Sequence, residues 1–247
     1  MFNFLFKSGK VQPDLSFIGV DMHSHLLPNL DDGLTSPEQT IRFLIHLKEL
    51  GYKKLICTPH ILSDLYPNSK TTILPKLELI RNLIQKENID IQIEAAAEYM
   101  MDHDFSVLVS KSKKEDLLTI GKKYILVEMS YFAASPNVEQ ILFDLRMLGL
   151  QPILAHPERY SYYHRNFSEY ERFKDLGCKF QVNLLSISGG YGPEVKKVAE
   201  ILFQKNMVDF VGTDMHHEKH LMMLKELATQ SSFYRLLNKA KLLNSTL

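Results

Sequence analysis

In "GVDMHSHLLPNLDDG", residues 19–33, an apolar stretch ends in His23 and His25 with one serine between them. Asp31 and Asp32 follow within the next few positions. Imidazole and carboxylate together are the donor set of divalent transition ions, so the first chemistry this spacing suggests is metal binding. The same residue types recur after other short apolar runs. His60 follows "LICTP", Glu98 follows "IEAAA", and Glu128 lies inside "ILVEMS". His156 and then Arg159 occur in "PILAHPER", and Asp214 with His216 in "DFVGTDMH". If each run is a strand, residues i and i+2 face the same way. His23 with His25, and Asp214 with His216, can then each aim at one ion.

Any one of these residues has a plainer explanation. A lone histidine at a strand end is more often a hydrogen-bonded structural group than a ligand. Glu128 is harder to set aside, because a carboxylate in a buried strand is costly unless a cation or metal pairs with it. The joint pattern decides. Six of seven expected strands end in His, Asp or Glu, always at the C-terminal end, where β/α barrels assemble their sites. The remaining histidines take the structural reading: His46 mid-helix, His103 in a loop after the third strand, and His164, His217 and His220 at the surface. His217 and His220 lie close enough to the last motif to stay candidates.

The elements that must position these residues alternate along the chain. "FIGVDMH", "KLICT", "IDIQIEAAAE", "YILVEMS", "QPILAH", "KFQVN" and "VDFVGTD" read as strands. Between them, "SPEQTIRFLIHLKELG" reads as a helix with Ser36 as N-cap, Pro37 at the first position, Gln39 completing a capping box and Gly51 as the stop. Ile41, Leu44, Ile45 and Lys48 share one of its faces, the apolar members inward. Further helices are expected over 71–87 (with Pro75 near its start), 104–112, 137–148, 168–176, 194–205 and 219–241. Continuous apolar strands such as Ile125 to Val127 suit a parallel sheet buried on both faces. The fold class is α/β, and a closed or nearly closed β/α barrel is favoured over an open doubly wound sheet. No glycine-rich phosphate fingerprint follows the first strand, which weighs against a nucleotide-binding doubly wound fold.

Bulk composition narrows the classes. The chain has 247 residues, 45% hydrophobic and 23% charged, ordinary for one large globular domain. Lysine plus arginine equals aspartate plus glutamate, at 29 each, which argues against a general nucleic-acid binder. No apolar run reaches the roughly 18 residues of a membrane helix. Cys57 and Cys178 both lie in apolar stretches and read as buried free thiols in a reducing, cytoplasmic compartment. Residues 1–15, opening "MFNFLFKSGK", read as an N-terminal arm packing its phenylalanines on a domain of residues 16–247. A weak membrane-surface contact is the alternative for that arm. Its apolar run is too short for a signal-peptide core of about 7 to 15 residues.

"DMHSHLLPNLDDG", "TPH", "AAE", "VEMS", "AHPER" and "TDMH", in this order over residues 19–216, resemble the PHP-superfamily protein-tyrosine phosphatases of bacterial capsule and exopolysaccharide gene clusters. A lone His-x-His is weak, since amidohydrolases share it; the ordered set with "DDG" and "HPER" is specific. The resemblance implies a single-domain, distorted seven-stranded β/α barrel of PHP type. It implies three divalent metal ions, Mn2+ first, with Fe2+, Zn2+ or Mg2+ as alternatives. Its ligands fall on His23, His25, Asp32, His60, Glu98, Glu128, His156, Asp214 and His216. By analogy one ion takes His23, His25, Glu98 and Asp214; a second shares Glu98 and adds Glu128 and His156; the third takes Asp32, His60 and His216. Asp31 has no ligand role in that pattern and is left to support one. Four carboxylates against three dications leave the centre at two positive charges, suited to a phosphate dianion. Arg159 becomes the phosphate-binding catalytic residue, and the implied partner is a phosphotyrosine protein, a tyrosine autokinase of polysaccharide export. The sequence departs from the pattern where basic residues are expected. None follows "TPH" before Lys70, and the final motif runs on as "HEKH", where Lys219 or His217 would have to serve.

Four rival functions compete with this expectation. A cysteine-based tyrosine phosphatase needs Cys-x5-Arg, and the positions six residues after Cys57 and Cys178 are Ser63 and Leu184; that mechanism is excluded. A small-molecule phosphatase, such as a histidinol phosphatase, would use the same metal ligands. A non-catalytic PHP binding module would be expected to lose ligands, and all of them are kept. A carbon–nitrogen amidohydrolase is disfavoured because no strand-end lysine is available to bridge metals.

Overall fold

The computed structural model describes residues 11–247. The elements run β1 (Val20–Asp21), α1 (Pro37–Glu49), β2 (Lys54–Cys57), β3 (His60–Ile61), α2 (Lys70–Lys86), β4 (Gln92–Ala95), β5 (Glu98–Met100), α3 (His103–Lys111) and β6 (Tyr124–Glu128). They continue α4 (Val138–Met147), β7 (Gln151–Ala155), α5 (Phe167–Asp175), β8 (Lys179–Asn183), α6 (Leu184–Ser188), α7 (Pro193–Gln204), β9 (Phe210–Gly212), α8 (Glu218–Leu227) and α9 (Ser231–Leu237). Every ladder between these strands is parallel. One sheet has the order β1-β2-β4, the other β3-β5-β6-β7-β8-β9. The strands expected over "KLICT" and "IDIQIEAAAE" each break in two, at Thr58–Pro59 and Ala96–Ala97. The halves bend together, since the Ala96 N–H donates to the Cys57 carbonyl at 2.8 Å and the Glu98 N–H to the Pro59 carbonyl at 3.1 Å. Nine strand segments thus occupy the seven expected strand positions, in a distorted β/α barrel.

The ring closes between its first and last strands. Ser24 bridges Met215 in parallel, and the Asp214 N–H donates to the His23 carbonyl at 2.8 Å. Below that bridge β1 and β9 do not pair, and the buried side chain of Asn244 fills the seam. Its Nδ2 donates to the Val20 carbonyl (3.0 Å) and the Val211 carbonyl (2.7 Å), and its Oδ1 accepts from the Val211 N–H (3.0 Å). The barrel interior is a small apolar core of Val20, Met22, Ile56, Leu126, Ile153 and Phe210 with their neighbours, against which Leu243 and Leu247 pack. A much larger core lies between the strands and the surrounding helices. Strands buried on both sides explain the continuous apolar runs.

The helices follow the sequence signals with instructive differences. Ser36 caps α1 by accepting from the Gln39 N–H at 3.3 Å. Gln39 Oε1 reaches back to the Thr35 N–H at 2.9 Å, one residue before the box position. The buried face of α1 is Thr40, Ile41, Phe43, Leu44 and Leu47, while Ile45 is exposed, so the inward stripe is rotated from the expected one. His103 opens α3 rather than lying in a loop. The expected helix over 219–241 is two helices. At the break the Tyr234 hydroxyl donates to the Ala228 carbonyl (2.7 Å) and the Val11 N–H to the Thr229 carbonyl (2.9 Å), satisfying groups that a continuous helix would have paired. Leu15 is fully buried and the Asp14 N–H donates to the Tyr234 hydroxyl, so residues 11–15 are bound to the α8–α9 region. The expectation for the phenylalanines of the arm lies outside the described residues. Among the described residues no helix is long and apolar enough to cross a membrane.

Candidate metal centre

The C-terminal ends of the strands converge, and the reason is register. His60 on β3 is the direct partner of Glu98 on β5, and Met100 on β5 that of Glu128 on β6. His156 and Asp214 follow the ends of β7 and β9 with φ of 33° and 49°, in the left-handed region. Non-glycine residues rarely adopt it, and such strain gathers where a site fixes side-chain direction. The Tyr160 hydroxyl accepts from the Met129 N–H (2.9 Å) and donates to the Ala155 carbonyl (3.1 Å), tying the ends of β6 and β7 together next to Glu128 and His156. Gly33 of "DDG" leaves room for the loop to close on His25. A Cβ there would meet the His25 carbonyl oxygen at 2.1 Å, far inside contact distance.

All nine candidate ligands lie in one cluster, with ligand atoms grouped within 4.8 Å of one another in overlapping sets. His23 Nε2 and His25 Nε2 lie 3.2 Å apart. They are 3.1 and 3.4 Å from Glu98 Oε2, and each is 3.4 Å from Asp214 Oδ1. Asp32 Oδ1 lies 3.4 Å from His216 Nε2 and 3.7 Å from His60 Nε2. Glu98 Oε1 lies 3.0 Å from His156 Nε2. Glu128 Oε1 faces His60 Nδ1 at 2.7 Å rather than His156, so the two ring nitrogens of His60 look toward different carboxylates. His23, His25, Glu98, Glu128, His156 and Asp214 are buried, whereas Asp32, His60 and His216 face the solvent side.

Residues outside the expected ligands orient them. His23 Nδ1 donates to Gln181 Oε1 and His25 Nδ1 to Asp31 Oδ2, both at 2.7 Å. His216 Nδ1 donates to the Asp214 carbonyl at 2.9 Å. Each bond fixes the tautomer that leaves Nε2 with a lone pair for an ion. Asp31 Oδ2 also accepts from the His60 N–H at 3.0 Å, which gives this aspartate its role. Asn183 Nδ2 donates to Asp214 Oδ2 at 2.7 Å. Gln181 and Asn183 come from β8, the strand expected to contribute nothing; their only signal was two amides at i, i+2 in "KFQVN".

The electrostatics fit cations. Burial opposes ionisation of Glu98, but the positive charge that His23 and His60 carry when protonated, in place of a bound cation, outweighs it and holds the carboxyl well below its usual range. Burial and then the charge of Glu98 push Glu128 up. Two buried carboxylates that repel one another are the situation a shared cation relieves. Burial pushes His156 down to about 4, keeping its imidazole in the neutral form that ligates, and its Nδ1 has no hydrogen-bond partner. The donor set thus fits divalent transition ions.

A cavity of about 210 Å³ opens beside the cluster, lined by Asp32, His60, His156, Asp214 and His216 and also by Arg159, Tyr131, Tyr191, His217 and His220. Arg159 Nη1 donates to Asp214 Oδ2 at 3.0 Å. Of the two groups considered for the second basic position, His217 lines this cavity and Lys219 does not. Lys70 is turned elsewhere, donating to the Glu115 carbonyl. Cys57 and Cys178 are buried free thiols, pushed up to about 12 chiefly by burial.

The fold and site together define a β/α barrel with a cluster of candidate metal donors at its C-terminal face. The chain belongs to the family described as capsular polysaccharide synthesis, CpsB/CapC, whose profile matches residues 19–227. It is 27% identical over 216 residues to the tyrosine-protein phosphatase YwqE of Bacillus subtilis, covering 87% of this chain and 82% of that protein. To the tyrosine-protein phosphatase CpsB of Streptococcus pneumoniae it is 26% identical over 204 residues, covering 80% and 83%. A crystal structure from work on these two proteins, described as unique metal-dependent tyrosine phosphatases, superposes with a TM-score of 0.76 at 24% identity, over 89% of this chain and 91% of that one.

Proposed function

We propose that this chain is a metal-dependent protein-tyrosine phosphatase. The observation that carries the reading is a cluster of nine candidate metal donors, five of which line one cavity together with a single guanidinium, that of Arg159. The donors would hold three divalent ions: His23, His25, Glu98 and Asp214 around one, Glu98, Glu128 and His156 around another, and Asp32, His60 and His216 around the third. Mn2+ is the favoured ion, with Fe2+, Zn2+ and Mg2+ as alternatives. Bound there, such ions would supply the Lewis acidity that activates water and offsets phosphate charge.

The protein's own groups do the rest. Arg159 binds the phosphate oxygens, its planar fork matching their geometry. Gln181 and Asp31 keep His23 and His25 in their ligating tautomers. The exposed edge of Asp32, His60 and His216 faces the side from which substrate enters. Both thiols lie buried in the core and take no part. The leaving phenol of phosphotyrosine has a pKa of about 10 and departs with little protonation, unlike an alkyl alcohol.

A protein substrate is favoured over a small phosphate by the rim. Phe132, next to Tyr131 of the cavity wall, is 96% exposed, an apolar contact that a peptide flanking the phosphotyrosine would use. The family description, capsular polysaccharide synthesis, and the relatives named tyrosine-protein phosphatases support a phosphotyrosine protein of that process as substrate; the partner proposed is a tyrosine autokinase of capsular or exopolysaccharide synthesis, dephosphorylated in the cytoplasm. The test compares kcat/KM for a phosphotyrosyl peptide, the same peptide carrying phosphoserine, and histidinol phosphate. Preference for phosphotyrosine is expected. Equal rates on phosphoserine, or preference for histidinol phosphate, would replace this reading with that of a small-molecule phosphatase.

A further inference from the structure

Arg159 does not stand alone in the cavity. Its guanidinium carbon lies 4.5 Å from the ring centroid of Tyr131 and 4.3 Å from that of Tyr191. The two tyrosines come from different parts of the barrel, one from the loop after β6 and the other from the turn between α6 and α7. They meet only at this arginine. Asp214 holds the guanidinium at one edge through Nη1. From this geometry we infer that Tyr131 and Tyr191 are positioning residues, an aromatic clamp that fixes Arg159 for phosphate. The inference rests on the reading of Arg159 as the phosphate-binding group.

A guanidinium carries its N–H donors in its own plane, while its charge is attracted to aromatic faces. Ring contacts therefore restrain the side chain without consuming the donors that an anion needs. A free arginine loses much of its rotamer entropy on being fixed; a clamped one has lost it before substrate arrives. The clamp matters in this chain because Arg159 is the one lysine or arginine among the described residues lining the cavity. With no second lysine or arginine lining the cavity to orient the phosphate beside the metal ions, the placement of this one contributes directly to its affinity. The Tyr131 hydroxyl lies 3.4 Å from His156 Nε2, a marginal contact, and the buried Tyr191 hydroxyl makes no close hydrogen bond, Asn183 being its nearest polar neighbour. The rings rather than the hydroxyls therefore carry the role.

The experiment measures binding of inorganic phosphate to manganese-loaded protein by calorimetry, with manganese content and Tm recorded for every variant. Tyr131→Leu and Tyr191→Leu should each weaken phosphate binding by about 3- to 30-fold, the range of partly desolvated cation–π contacts. Tyr131→Phe and Tyr191→Phe should bind as wild type does, because they keep the ring. In an Arg159→Ala background the leucine substitutions should add nothing. Wild-type affinity in both leucine variants, or an undiminished effect in the Arg159→Ala background, would overturn the clamp while leaving the role of Arg159 intact. Wild-type affinity in Arg159→Ala itself would instead overturn the reading beneath it, and the clamp with it. Lost manganese or a collapsed Tm in the leucine variants, with the phenylalanine variants unaffected in Tm but weakened in binding, would show the hydroxyls at work and also reject the clamp.

Discussion

Gln181 accepts one hydrogen bond from His23, and that bond decides which nitrogen of the imidazole faces an ion. Removing such a support typically costs 10- to 100-fold in metal affinity. Gln181→Leu should therefore lower manganese affinity by about that factor, read by competition with a chelating dye; unchanged affinity would mean the tautomer is held some other way. Glu158 offers a second residue-level test. It is fully buried, accepts from the Asn183 N–H (2.9 Å) and Ser186 Oγ (2.6 Å), and burial raises its carboxyl to about 7. Its folded pKa stands above the ordinary 4.5, so the folded state holds the proton more tightly. The stability this gives is present at acid pH and lost as pH rises through about 7. The Tm of the native protein should accordingly fall from pH 5 to 8 relative to Glu158→Gln, which cannot ionise, and a constant difference would refute the assignment. Cys57→Ser and Cys178→Ser should keep kcat within a few-fold, because both thiols are buried and protonated; a metal-loaded, folded variant without activity would reopen the question of the nucleophile. That the nine candidate donors would come together was legible in the sequence, because eight of them recur at strand ends in fixed residue types and Asp32 falls on the "DDG" of the family pattern. Gln181, Asn183, Tyr131 and Tyr191 were not, because amides and tyrosines have many ordinary uses and acquire this one only through tertiary neighbours.

Among the elements, strands were legible and seams were not. Parallel strands buried on both faces leave continuous apolar runs, so their order and polarity follow from the sequence. The breaks at Thr58–Pro59 and Ala96–Ala97 arise from the bending of paired strands and carry no local glycine signal. The split between α8 and α9 is stabilised by Tyr234, from within α9 itself, and by Val11, and the seam between β1 and β9 by Asn244; Val11 and Asn244 are distant along the chain from what they satisfy. Asn244 makes three buried hydrogen bonds to otherwise unpaired backbone. Asn244→Ala should cost about 2–4 kcal/mol, or about 5–15 °C in Tm for a chain of this size. Thermal denaturation checks it, and a Tm within 1 °C of wild type would show that water or a backbone shift seals the seam.

At the scale of the whole molecule, a barrel with its charged donors at one end and an apolar plug at the other separates stability from chemistry. The large outer core carries the fold, so the cluster can hold buried carboxylates whose mutual repulsion would otherwise be costly. On the proposed reading, that arrangement would make activity conditional on metal. The decisive experiment titrates chelator-stripped protein with Mn2+ and follows hydrolysis of a phosphotyrosyl peptide against bound metal. No turnover should occur without metal, and activity should rise to a plateau near three equivalents per chain. Full turnover in metal-free protein would contradict the central claim outright.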